Sequence, residues 1–67
     1  MKIAMASVSL SKRDGYNLLT SHSLHYCQDV NEDEMRGIAI KSSMENKPGF
    51  SVDSVLVKVI EIPESNA

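Results

Sequence analysis

Three stretches of this chain read with the two-residue period of a strand, and a helical spacing fills the gap between the second and the third. Lys2 to Leu10 reads as the first strand. Alternation sets Ala4, Ala6, Val8 and Leu10 on one face and Ile3, Met5, Ser7 and Ser9 on the other. The small alanines suit close approach by a helix. Ser11 to Asn17 reads as a charged turn, with Lys12, Arg13 and Asp14-Gly15 supplying turn chemistry. Leu18 to Val30 reads as the second strand. One face carries Leu18, Thr20, His22, Leu24, Tyr26 and Val30, and the other, more polar, carries Leu19, Ser21, Ser23, His25 and Cys27. Its length predicts a bend or ragged start near Leu19–Ser21. Ser51 to Ile62 reads as the third strand, with Val55, Val57 and Val59 on one face and Val52, Leu56, Ile60 and Ile62 on the other. A strand apolar on both sides is usually covered on both sides.

The helix has clear punctuation. Asn31 is a favoured N-cap, because its side-chain oxygen accepts from an unpaired backbone N–H of the first turn. Glu34 stands where a capping box places its carboxylate. Glu32, Asp33 and Glu34 occupy the first turn, where the helix dipole favours negative charge. The body runs from Met35 to Glu45, with Lys41 and Lys47 toward the other end. Pro48 and Gly49 then end it and redirect the chain. Met35, Ile38, Ala39 and Ser42 form the expected core stripe. Gly37, Ile40 and Met44 form a second stripe away from it.

This order predicts an α+β domain: a small three-stranded sheet with one helix on one face, β-β-α-β. The domain is expected over residues 1–62, with 63–67 a flexible C-terminal tail. The favoured arrangement pairs the first two strands as an antiparallel hairpin and sets the third beside the first. The alternative puts the third strand in the centre. If the second and third strands are parallel, the helix between them is a right-handed crossover.

Length and charge narrow the partners. A domain of 67 residues leaves a large share of its surface exposed, and small domains compensate with disulfides, metals or association. Cys27 is the only cysteine, so association is the expected route. A homodimer is expected, with Ile40 and Met44 as candidate contact residues because they lie off the core stripe; sheet face to sheet face, helix to helix and edge strand to edge strand all stay open as its geometry. The lone thiol suggests a reducing, cytoplasmic setting. A net charge of −2 disfavours direct nucleic-acid binding. No membrane span is expected. The opening Met1–Leu10 is too briefly apolar for a signal peptide, being interrupted by Ser7 and Ser9.

Candidate chemistry is sparse. His25 and Cys27 share a strand face and could begin a metal site or a nucleophile–base pair, but no further ligands complete either. Structural histidines and an inert thiol are the simpler reading, so no catalytic residue, metal or cofactor is assigned. Asp29, Glu32, Asp33 and Glu34 form an acidic cluster that could face a basic protein partner. Helix electrostatics alone explains three of the four. Lys12 and Arg13 could touch phosphate, but the turn lacks a glycine-rich cradle.

The pieces Asn31-Glu-Asp-Glu, Arg36-Gly-Ile-Ala-Ile, Lys47-Pro-Gly-Phe and Ser54-Val-Leu-Val form a pattern over a little more than half the chain. That pattern resembles small accessory proteins of bacteriophages and prophages, some of which are anti-CRISPR or other anti-defence inhibitors. The resemblance implies a ββαβ fold and a non-catalytic role in binding a host complex. It is a likeness of fold signals and transfers no functional residue. The leading functional expectation is therefore a small protein-binding inhibitor or adaptor. A second is an oligomeric small-ligand binder with a pocket between subunits, using His25, Tyr26, Lys12 and Arg13. A third is an enzyme built on His25 and Cys27.

Overall fold

The computed structural model describes residues 1–63. Its elements are β1 (Lys2–Asp14), β2 (Asn17–Gln28), α1 (Glu32–Met44) and β3 (Ser51–Glu61). The sheet order is β2-β1-β3, with both neighbours antiparallel to β1. This is the α+β arrangement expected from the sequence, with the third strand beside the first. The tail expected at 63–67 lies, beyond Pro63, outside the described residues.

The core forms where β1 meets α1. Ala4, Ala6, Val8 and Leu10 are buried, and Met35 and Ala39 close on them from the helix. Alanine at positions 4, 6 and 39 removes the bulk that would hold the two backbones apart. Cys27, Val30, Met44, Phe50, Val55 and Val57 complete the packing as half-buried neighbours.

The helix begins at the expected cap. The Glu34 N–H donates to Asn31 Oδ1 at 2.7 Å, and Asn31 Nδ2 donates back to Glu34 Oε1 at 3.0 Å. The reciprocal contact of a capping box is thus made between side chains. At the other end the turn through Pro48 leads into Gly49, whose φ is +83°. A glycine there avoids the steric penalty of a Cβ in the left-handed region. A Cβ on Gly49 would also stand 3.2 Å from Lys12 Cε, so the Lys12 stem lies close over this turn.

Three local expectations are corrected. The charged turn at Ser11–Asn17 is mostly strand: β1 runs on to Asp14, and only Gly15 and Tyr16 form the loop. Gly15 has φ +62° while Tyr16 is not in the positive region, the signature of a type II′ hairpin turn. That turn matches strand twist, so pairing extends to Asp14↔Asn17. The bend expected near Leu19–Ser21 is absent, because the β1–β2 register is unbroken from Ile3↔Gln28 to the tip. The irregularity lies in β3 instead, where Asp53 is bulged between Ser9↔Ser54 and Leu10↔Val52. Its carboxylate accepts from the Ser11 hydroxyl at 2.8 Å.

The third correction concerns the helix face. Met35, Ala39 and Ser43 are buried, whereas Ile38 and Ser42 are exposed. The helix is rolled by about half a residue's turn, roughly 50°, from the expected stripe. The roll carries Ser43 onto β2. Met44, the last residue of α1, is half-buried against its own core, while Gly37 of the expected second stripe is exposed and Ile40 half-buried.

A 13-residue helix spans about 20 Å, whereas 13 strand residues span about 43 Å. The helix covers only part of the sheet. β3 stops opposite Ser11, so Lys12–Leu19 continues as a two-stranded ribbon. The body is correspondingly long, 57 × 16 × 15 Å.

Candidate functional site

The sheet has one covered face and one open face. Residues directly opposite in an antiparallel pair share a face. Ser7 lies between Leu24 and Leu56, Met5 between Tyr26 and Lys58, and Ile3 between Gln28 and Ile60. These rows form the face opposite α1. Leu24, Tyr26 and Leu56 are 59%, 61% and 71% exposed. The short Ser7 side chain, flanked by two leucines, leaves a shallow depression of about 250 Å³ lined by Met5, Ser7, Leu24, Leu56 and Lys58. Among the described residues lining it, Lys58 is the one cation. The floor is aliphatic, so the depression suits an apolar group and offers few hydrogen bonds. The third strand's two-sided apolar pattern was the sequence signal for this surface. Its second side, carrying Leu56 and Ile60, has no cover among the described residues.

The acidic residues at the helix start lie at one end of the molecule, each with an internal contact. Arg36 lies 3.5 Å from Glu32 and 3.6 Å from Asp33, and Glu34 holds the cap with Asn31. Asp29 Oδ1 accepts from the Lys2 N–H at 3.3 Å, while Asp29 N–H donates to the Lys2 carbonyl. Asp29 has φ +56°, which turns the chain from β2 toward the helix. Ile40, expected in a self-association contact with Met44, is half-buried on the helix flank.

His25 and Cys27 do share a face, the one beneath α1. His25 Nε2 lies 2.8 Å from Ser43 Oγ and 2.9 Å from Ser23 Oγ, and the two hydroxyls are 2.8 Å apart. The three side chains form a closed triangle. Its geometry lets one hydroxyl bond the imidazole and the other bond the first hydroxyl. No buried side-chain nitrogen or oxygen lacks a partner among the described residues. Ser43 is only 7% exposed, and Ser23 and His25 are half-buried. The triangle joins helix to sheet. Cys27 packs against the core beside it. His22 stands on the open face, with Nδ1 3.0 Å from Ser9 Oγ. Among the described residues no three His, Cys, Asp or Glu side chains cluster as metal ligands. Among the same residues no helix is long and apolar enough to cross a membrane.

No protein-family model, curated protein or solved structure matches the chain.

Proposed function

We propose that this chain is a small non-catalytic protein-binding protein that engages its partner through the open face of the sheet. The observation that carries this reading is the juxtaposition of Leu24, Tyr26 and Leu56, each more than half exposed, around the depression above Ser7. Such side chains together present on the order of a few hundred Å² of apolar surface, a size at which patches mark interaction sites. The aromatic ring of Tyr26 adds an anchor of the kind enriched in binding hot spots. Lys58 at the rim favours a partner with an apolar projection beside a carboxylate.

The resemblance to phage accessory proteins fits an inhibitor or adaptor acting on a host complex, such as a defence system of the CRISPR type. The acidic residues are secondary in this reading, because each already holds an internal contact. The test is affinity capture from bacterial lysate with wild type and with Leu24→Glu/Leu56→Glu, both checked for folding by circular dichroism. A discrete protein retained by wild type and lost with the folded double variant supports the reading. Retention of the same proteins by both overturns it.

A further inference from the structure

The two edges of the sheet are built differently. The β3 edge carries Asp53, Lys58 and Glu61 and is interrupted by the bulge at Asp53. Charges and bulges are the devices by which proteins blunt an edge against pairing. β2 has none of them: Asn17–Gln28 contains no Asp, Glu, Lys, Arg or Pro, and its register is unbroken over 12 residues.

The unused groups of this edge can be named. The Asp29 N–H donates to the Lys2 carbonyl, and Met1 and Ile62 exchange N–H···O bonds in both directions. Alternation along an antiparallel ladder then turns the even residues of β1 toward β2 and the odd ones toward β3. In β2 the odd residues bond to β1. Leu18, Thr20, His22, Leu24, Tyr26 and Gln28 therefore aim their backbone groups outward.

We propose that this edge pairs with β2 of a second copy, antiparallel about a two-fold axis normal to the sheet, giving one continuous six-stranded sheet. The register that satisfies all six outward residues centres on Ser23. It pairs Leu18 with Gln28, Thr20 with Tyr26 and His22 with Leu24 of the second copy. Both helices then lie on one face and both open faces on the other, which joins the two Leu24–Tyr26 patches.

Two observations select a second copy as the occupant. The first is charge. At the hairpin end Lys12 and Arg13 outweigh Asp14, and at the far end Asp29, Glu32, Asp33 and Glu34 outweigh Lys2, Arg36 and the Met1 amino group. Antiparallel pairing brings each net-positive end beside a net-negative end, with Arg13 in the row of Gln28 of the second copy and one row from its Asp29, and does so twice. The second is the ribbon Lys12–Leu19. Alone it has two strands, a form only marginally stable in water, and Leu18 and Leu19 are exposed. The second copy supplies the missing third strand there.

This inference does not depend on the open face having a protein partner. The test is sedimentation equilibrium of the whole chain, with hydrogen exchange of individual amides at the same concentrations. Wild type is expected to be a dimer, with Thr20, His22, Leu24 and Tyr26 amides protected and losing protection on dilution. His22→Pro removes an outward N–H and is expected to be monomeric, while His22→Ala and Leu56→Glu stay dimeric. Lys12→Glu/Arg13→Glu is expected to weaken the dimer about fivefold or more at low salt. A wild-type monomer at every concentration overturns the proposal, as does a folded His22→Pro dimer. Should His22→Pro fail to fold, the wild-type amides decide: free exchange at those four positions in a dimer overturns it.

Discussion

Ser43 Oγ lies 2.8 Å from His25 Nε2, beneath the last turn of α1, and this contact fixes how the helix sits on the sheet. Burying the polar side of β2 is possible because Ser23, His25 and Ser43 satisfy one another. The other side of β2, with Leu24 and Tyr26, is thereby left facing outward. The polar triangle and the apolar open face are two consequences of one orientation.

Ser43→Ala should lower the unfolding free energy by about 1 kcal/mol, the usual net loss for one hydrogen bond. His25 and Ser23 keep their 2.9 Å contact, which limits the damage. Urea denaturation reads the change. An equally stable or more stable variant would show that the triangle does not hold the helix.

Asn31→Ala should cost about 1 kcal/mol, because the Glu34 N–H loses its acceptor and no other caps the first turn. Thermal unfolding monitored at a helix-sensitive wavelength gives the value. No loss would mean that water replaces the cap at no cost.

Ala39→Glu should prevent folding. Ala39 is fully buried among Ala4, Ala6 and Met35, and a carboxylate there would have no partner. The measurement is circular dichroism of the soluble fraction, and a native spectrum would contradict the assigned helix face.

The parts of the fold legible in the sequence are those where hydropathy and local chemistry agree. β1 sets Ala4, Ala6, Val8 and Leu10 at every second position, and α1 opens on Asn31 with three acidic residues behind it. Both were readable for that reason. The helix face was not, because Ile38 looks like core and Ser43 does not. Their exchange depends on His25 and Ser23, which lie 13 or more positions away in the chain. The hairpin tip is not legible, because Lys12, Arg13 and Asp14 suit an exposed ribbon as well as a loop. At the candidate site, Leu24, Tyr26 and Leu56 were visible as apolar residues. Their common surface depends on the register through Ser7, which composition does not reveal.

Gly15→Val should destabilise the hairpin by roughly 1–2 kcal/mol, because φ +62° places a β-branched residue in the left-handed region. No side chain crowds the site, so the cost is one of backbone conformation. Amide exchange at Asn17 and Leu19 should quicken before the global transition. Unchanged exchange would show that the tip tolerates another turn type.

The open face as a docking surface is tested most directly by methyl NMR of the labelled chain, titrated with the protein that it captures. The account predicts that Leu24, Leu56 and Ile60 methyl signals shift together, while those of Met35 and Ala39 in the core stay in place. Shifts confined to Ile38 and the exposed flank of α1, with the open-face methyls unmoved, would contradict it.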